Sequence, residues 1–277
     1  MNELKTMEVD SASLSTLKLP FNRQVQLNII HGGRKYHLLL YLRKRTDQLL
    51  VISNGAINPK KKKPPVFMRS SWIQDFPGSL IFLDDPTLHD GDLTLGWGQG
   101  TVEAFALEEI ASFVDVLADR FNYKRENIHF YGSSAGGFMS MIYAVMLEGT
   151  SAVVNNPQTN VLNYYPSAVE PLMEHVYGTC DREELLGRYG HRLSILEAFK
   201  YYGHVPVIHY FQNQLCEKDL NQHLNPLIKG MQEEGMEMNH LYVNQYFDSD
   251  AGHSPLSKEG TIRLLNLAIS GNFDYHI

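Results

Sequence analysis

The sequence is poor in cysteine, in long apolar runs and in positive charge, and each shortage excludes a class of protein. Its two cysteines, Cys180 and Cys216, are too few for a disulfide scaffold and favour a reducing compartment. The first residues do not read as a signal peptide, and no apolar run approaches the roughly 20 residues that span a bilayer. Lys and Arg number 24 against 31 Asp and Glu, and the resulting net charge of −7 argues against nucleic acid as the main partner. We therefore expect a soluble, cytoplasmic protein.

Linker-like segments rich in Pro, Gly or Ser are also missing, so the 277 residues are expected to form one large domain. An apolar content of 43% and a charged content of 20% suit a globular protein with a sizeable core. Residues 1–19 are polar and Ser-rich, and we expect them to be poorly ordered, with the domain covering residues 20–277.

Short β-prone runs and helical patterns alternate along most of the chain. Residues 25–30 and 36–42 flank a His-Gly-Gly-Arg-Lys turn and predict an antiparallel hairpin near the N-terminus. The later alternation predicts a three-layer α/β/α sandwich with a mostly parallel sheet. Residues 158–202 interrupt this pattern with a helix-prone insertion, which forms either a cap over a site or extra helices on the sheet.

The most informative motif is Gly132-Ser133-Ser134-Ala135-Gly136, which fits the Gly-x-Ser-x-Gly pattern of a nucleophile elbow. Small residues are needed there because the chain turns sharply from a strand into a helix and holds the serine in strained geometry. A β-prone run precedes the motif, and apolar residues at helical spacing follow it. Ser134 is therefore our candidate nucleophile, and the sandwich is predicted to be of the α/β-hydrolase type. An ordinary Gly-rich turn is the alternative.

A serine of normal pKa needs a base, and the base needs an orienting acid; in this fold both follow the serine along the chain. His253 lies between the last strand-like run and the last helical pattern, where the fold places its base. Ser254 and Pro255 are predicted to begin the last helix. The acid is expected after the apolar run of residues 205–211, which leaves Asp219, slightly favoured, and Glu217. Asp219 could instead compensate a helix dipole.

An oxyanion hole of this fold uses two backbone N–H groups. One belongs to the residue after the nucleophile, which is Ala135. The second is expected in the loop after the third strand, where Gly55 allows close approach and the Ala56 N–H is the predicted donor. A plain Asn-Gly turn is the alternative for this loop.

Substrate-binding residues are expected in the segments that follow strands, because open α/β sheets bind ligands there. Five residues meet this condition: Arg69, Trp72, Trp97, Asn156 and Gln158. The Arg69 guanidinium suits an anionic group of a substrate, which its fork of donors could bind. The two tryptophans could instead anchor the core or a loop.

Several segments together resemble a group of bacterial α/β-hydrolase-like proteins that are found with surface-glycan genes. The resemblance spans roughly residues 48–269. It lies in the elbow, in the runs Phe-Met-Arg-Ser-Ser-Trp, Asp-Pro-Thr-Leu, Gly-Trp-Gly-Gln-Gly and Asn-Pro-Gln, and in Gln-Asn followed by His-Leu-Asn-Pro. The group includes capsular polysaccharide O-acetyltransferases and the acetyltransferase component of the accessory Sec system. In that group an Asp and a His stand where this chain has Cys216 and Asp219, which leaves the identity of the acid open.

The resemblance implies acetylation of Ser134 by acetyl-CoA as co-substrate and transfer of the acetyl group to a glycan hydroxyl. It implies no tightly bound cofactor and no metal, and it allows peripheral association with a capsule assembly complex. Two alternatives stay open: an esterase or deacetylase that uses the same triad, and a non-catalytic component that binds glycan or belongs to a secretion complex.

Overall fold

A computed structural model describes residues 4–89 and 91–270. Within these residues the nine strands form one sheet, in the order β1-β2-β3-β5-β4-β6-β7-β8-β9. Their bounds are Lys5–Asp10 (β1), Gln24–His31 (β2), Arg34–Tyr41 (β3), Leu49–Ile52 (β4), Ser79–Leu83 (β5), Ile128–Ser133 (β6), Ser151–Asn155 (β7), Val207–Asn213 (β8) and Leu241–Tyr246 (β9). Only β3 runs antiparallel to its neighbours among the described strands, so the mostly parallel sheet and the N-terminal hairpin are confirmed.

Helices cover both faces of the sheet. Their bounds are Ala106–Arg120 (α1), Ala135–Met146 (α2), Pro166–Tyr177 (α3), Arg182–Leu193 (α4), Ile195–Tyr202 (α5), Glu217–Asp219 (α6), Asn225–Glu233 (α7) and Lys258–Ser270 (α8). Alternate residues of the central strand β4 enter different cores: Val51 packs with the α1 and α2 side, and Leu50 packs with the α8 side. This alternation follows from the two-residue period of a strand and produces the predicted three layers.

The N-terminus differs from the expectation. Residues 5–10 form β1, which pairs in parallel with β2, and a 3₁₀ helix over Ser11–Thr16 follows it. Leu14, Leu17 and Leu19 are buried and fasten this segment to the core. The polar, Ser-rich composition of this segment did not indicate that the three leucines are buried. Its pairing with β2 depends on residues that the local sequence does not show.

The segment of residues 158–202 contains α3, α4 and α5, and it contributes buried residues to the main core, including Leu172 and Phe199. Its first part, around Tyr164, reaches the candidate site described below. The segment therefore supplies helices that share the main core, and whether it also caps the site stays a prediction.

Two helix boundaries also differ from the sequence pattern. The last helix starts at Lys258 instead of Pro255, because the Leu256 N–H donates to Asn155 Oδ1 at 2.8 Å and ties the preceding residues to the sheet. Apolar residues at helical spacing over residues 220–231 favour one helix, whereas the structure has a π-helical turn over Leu220–Leu224 between α6 and α7. Among the described helices, none combines the length and apolar character that crossing a bilayer requires.

Candidate active site

Ser134 lies in the turn that joins β6 to α2. Its backbone has φ 55° and ψ −124°, a strained conformation for a residue with a side chain. Close packing requires the glycine at position 136, because a Cβ there would lie 2.7 Å from the carbonyl oxygen of Asn54. The turn therefore holds Ser134 at the carboxyl end of the sheet, between the loop after β4 and the first turn of α2.

The side chains of Ser134, His253 and Asp219 form a hydrogen-bonded chain. Ser134 Oγ lies 2.8 Å from His253 Nε2, and His253 Nδ1 lies 2.7 Å from Asp219 Oδ2. The Asp219 carboxylate accepts a hydrogen bond from the His253 Nδ1–H, which leaves Nε2 free to accept the proton of the serine hydroxyl. The Asp219 side chain is 4% exposed and that of His253 is 34% exposed, so the acid is enclosed while the imidazole keeps access to solvent.

The other candidate acid, Glu217, is exposed at the start of α6 and makes no described contact with His253. Asp219 ends α6 two residues later and is turned inward to the imidazole. The hydrogen bond from His253 therefore goes to the shorter of the two carboxylates.

Asn156, predicted to bind substrate, instead fastens the loop that carries His253. Its Nδ2 donates to the carbonyl oxygens of His253 at 3.3 Å and Ser254 at 3.1 Å, and its Oδ1 accepts the Asn213 N–H at 2.8 Å. With 1% of its surface exposed and these groups engaged, the side chain positions the loop and does not face a substrate.

Asn213 holds the same loop at its other end. Its Nδ2 donates to the carbonyl oxygens of Asp248 at 2.8 Å and Gly252 at 3.0 Å. Tyr246, the last residue of β9, contacts this arrangement from below, because its hydroxyl accepts from the side-chain amides of Asn155 and Asn156. The sequence pattern alone assigns no role to Asn213 or Tyr246, although Asn213 stands in one of the resemblance motifs.

Trp97 and Gln158 are both fully buried, which corrects the expectation that Trp97 contacts substrate. The Trp97 indole N–H donates to Gln158 Oε1 at 2.5 Å, and Gln158 Nε2 donates to Ser134 Oγ at 3.1 Å. An indole N–H is only a donor, so it fixes the orientation of the amide and turns the NH₂ group to the serine. The position of Trp97 after a strand predicts a role in substrate binding. The sequence pattern does not show that this segment folds into the core.

The predicted oxyanion residues lie around the elbow. Ala135 is the first residue of α2, where helical N–H groups lack partners within the helix. The loop after β4 passes beside the elbow, and a Cβ on Gly55 would lie 3.7 Å from the Ser133 carbonyl oxygen. The Gly55 N–H donates to the Met68 sulfur at 3.3 Å, while Ala56 is exposed.

Arg69 and Trp72 lie together next to the elbow, where Arg69 contacts Ser133. Arg69 has a left-handed backbone, with φ 62°, and its Nη2 donates to Ser133 Oγ at 2.8 Å. Its guanidinium lies over the rings of Trp72 and Tyr131, and its buried Nη1 has no described hydrogen-bond partner. A cation with unused hydrogen-bonding capacity therefore lies one residue from the candidate nucleophile.

Aromatic residues of the insertion border His253. The Tyr164 ring lies 6.3 Å from the imidazole, and burial raises the pKa of its hydroxyl, with Tyr165 and Asp219 adding to the effect. Tyr165 is 51% exposed, and the Lys218 ammonium lies over both tyrosine rings. The sequence showed only that this segment is rich in tyrosine.

Comparison with known proteins gives a likeness of structure without a likeness of sequence. No known family profile matches the chain. No curated protein matches it either. A mutant of the capsule O-acetyltransferase of Neisseria meningitidis serogroup A, solved in complex with CoA, superposes with a TM-score of 0.62 at 14% identity, covering 92% of this chain and 99% of that one.

Two further solved structures are esterases or hydrolases. A protein from Lactobacillus plantarum that was solved as a putative carboxylesterase gives a TM-score of 0.57 at 12% identity and covers 90% of this chain and 98% of its own. The fluorophosphonate-binding serine hydrolase F of Staphylococcus aureus, solved with substrate bound, gives 0.58 at 11% identity and covers 90% and 99%. The chain has the α/β-hydrolase fold. At these identities the comparisons establish the fold and leave the chemistry to be argued from the site.

Proposed function

We propose that the protein is a serine-nucleophile O-acetyltransferase that moves an acetyl group from acetyl-CoA to a hydroxyl of a bacterial capsular or related surface glycan. The observation that carries the chemistry is the hydrogen-bonded chain Ser134–His253–Asp219 at a nucleophile elbow. The choice of donor and acceptor is supported by the sequence resemblance and by the fold shared with a capsule O-acetyltransferase that was solved with CoA.

In the proposed first step, Ser134 Oγ attacks the thioester carbonyl carbon while its proton passes to His253 Nε2. The Ala135 N–H and a donor from the loop of Gly55 and Ala56 stabilise the oxyanion. The carbon–sulfur bond then breaks, and the leaving CoA thiolate takes the proton from His253. In the second step the glycan hydroxyl gives its proton to His253 and attacks the acetyl carbon. The bond between that carbon and Ser134 Oγ then breaks, and His253 returns the proton to Ser134 Oγ.

Two measurements test this proposal in sequence. A fluorophosphonate probe should label the wild-type protein at Ser134 and leave the folded Ser134→Ala variant unlabelled; an unlabelled, folded wild type would refute both enzymatic functions and favour a binding role. The protein should then transfer radiolabelled acetyl from acetyl-CoA to a capsular polysaccharide, with no transfer by Ser134→Ala.

Hydrolysis is the second candidate function. The observation that favours it is the exposure of His253, since 34% of its side chain reaches solvent and water has access to the base. CoA release or ester cleavage that is independent of any glycan, with no acetyl reaching the polysaccharide, would assign the protein to this class.

Arg69 and Trp72 are proposed to bind the substrate, with Arg69 taking a phosphate of CoA or an acidic group of the glycan. The support is the unused Nη1 of Arg69 beside the elbow. Arg69→Ala should raise the KM for one of the two substrates by about tenfold, the value of one lost charged hydrogen bond, and should keep fluorophosphonate labelling of Ser134. Arg69→Lys, which keeps the charge and loses the fork of donors, should recover only part of the affinity. Unchanged KM values for both substrates would dismiss the assignment.

A further inference from the structure

The Cys216 thiol lies beside the candidate triad, but the proposed acyl transfer does not use it. Cys216 Sγ, an Asp219 carboxylate oxygen and a ring nitrogen of His253 all lie within 4.8 Å of one another. Burial is the main cause that raises the pKa of this thiol, and the neighbouring Asp219 side chain also raises it. A soft sulfur, an imidazole nitrogen and a carboxylate oxygen thus converge on one small volume.

We propose that Cys216, Asp219 and His253 form an inhibitory zinc site that takes the triad out of its catalytic arrangement. Thiolate, imidazole and carboxylate are the ligands that zinc prefers in proteins, with bonds of about 2.3, 2.0–2.1 and 2.0–2.2 Å. In a tetrahedral site with those bonds, ligand atoms lie about 3.4–3.6 Å apart. His253 Nδ1 and Asp219 Oδ2 now lie 2.7 Å apart, so they must separate by less than about 1 Å to admit the ion.

The ligand set is open on one side. Cys216 is half-buried and the His253 side chain is 34% exposed, whereas Asp219 is enclosed. Three protein ligands with a solvent-facing fourth position leave room for a water molecule on the ion. The site therefore admits zinc from solution without unfolding.

Zinc binding prevents His253 from acting as the base, because it changes which ring nitrogen carries the proton. The catalytic form of neutral His253 carries its single proton on Nδ1, which donates to Asp219. Zinc on Nδ1 requires that proton to move to Nε2, and a protonated Nε2 cannot accept the Ser134 proton. The Cys216 thiol loses its proton to solvent on ligation, so one proton is released for each zinc bound.

The effect on turnover depends on the proposed function, but metal binding does not, so the two are tested separately. The chain offers a matched control, because its other cysteine, Cys180, is exposed and lies apart from the triad. Metal-free wild type, Cys180→Ser, Cys216→Ser and Cys216→Ala are titrated with Co²⁺, a spectroscopic substitute for zinc. A thiolate-to-cobalt charge-transfer band is expected in wild type and Cys180→Ser and should be absent from both Cys216 variants.

The second measurement follows cleavage of p-nitrophenyl acetate against free zinc, with each rate normalised to the metal-free rate of the same variant. Zinc should inhibit wild type and Cys180→Ser alike, and EDTA should restore the rate. Loss of one ligand should raise the zinc concentration for half-inhibition by about tenfold or more in Cys216→Ser and Cys216→Ala. Ser134→Ala, which has no turnover, should keep the cobalt band.

Equal inhibition of the wild type and both Cys216 variants would overturn the proposal, as would a wild-type cobalt spectrum without a thiolate band. A wild type that has the band but is not labelled by the fluorophosphonate probe and transfers no acetyl group would contradict the proposed function and still support the metal site.

Discussion

At the scale of the residue, Gln158 links the core to the candidate nucleophile. Its amide is oriented by Trp97 and donates to Ser134 Oγ, so it faces the atom that becomes negative as the serine proton leaves. Hydrogen bonds to charged groups contribute about 1.5–3 kcal/mol, which corresponds to roughly tenfold to more than a hundredfold in rate.

Gln158→Met should therefore lower kcat by about ten- to a hundredfold with a smaller change in KM, measured by steady-state acetyl transfer or ester cleavage. Gln99 is a matched control, because it is equally buried and bonds to Trp97, Arg192 and Tyr177 but not to Ser134. Gln99→Met should reduce the free energy of unfolding and leave kcat of the folded protein within a few-fold. Equal losses of kcat in both variants would mean that Gln158 acts only through packing.

The pair Asp219 and Glu217 provides a second test at this scale. Asp219→Asn should keep the fold and lower kcat by about 10⁴, the cost of the corresponding change in serine proteases, because the imidazole loses its correct tautomer. Glu217→Gln should be nearly silent, since an exposed carboxylate contributes little. If steady-state kinetics showed the opposite ranking, the acid would be Glu217.

At the scale of the element, the elbow leaves no room for a side chain at position 136, in the first turn of α2. A Cβ at position 136 would meet the backbone oxygens of Asn54 at 2.7 Å and Ser53 at 3.0 Å, and backbone atoms cannot rotate away. Gly136→Ala should lower the free energy of unfolding by about 1–3 kcal/mol, as measured by urea denaturation.

Gly187 in α4 is the control for that substitution, because a Cβ there meets nothing within 4 Å. Gly187→Ala should raise the free energy of unfolding by about 0.5–1 kcal/mol, the ordinary gain from alanine within a helix. A similar loss in both variants would indicate that the elbow is not specially close-packed.

The helices and strands also show which features of the structure could be predicted from the sequence. Apolar runs and strand-to-helix turns predicted the hairpin, the parallel sheet and the loops that carry Ser134, His253 and the acid, because these depend on local periodicity. The choice between Asp219 and Glu217 depends on which way a short helical turn faces. The inward folding of Trp97 and the pairing of β1 depend on residues distant in sequence, so composition and periodicity could not reveal them.

At the scale of the whole molecule, three buried histidines make stability depend on pH. Burial is the largest cause that lowers the pKa values of His129, His209 and His223 from 6.5 to about 4. Between those values the unfolded chain binds protons at these positions that the folded protein does not, so stability is lost as pH falls from about 6.5 towards 4. Asp85 acts in the opposite direction, because burial raises its pKa.

Urea unfolding measured from pH 7.5 to pH 4.5 should therefore show a free energy that declines below about pH 6.5. His129→Gln should reduce the slope of this decline, whatever it does to stability at pH 7.5, because one of the three linked protons is removed. An unchanged slope in that variant would show that His129 does not contribute.

The loop that carries His253 is attached to the sheet mainly through the side-chain amides of Asn156 and Asn213. This loop can unfold locally, since these few hydrogen bonds can break while the strands beneath stay paired. On heating, the protein should therefore lose activity at a lower temperature than the one at which the sheet unfolds. Substitutions that rigidify residues 248–256 should therefore protect the activity against heat more than substitutions that repack the core.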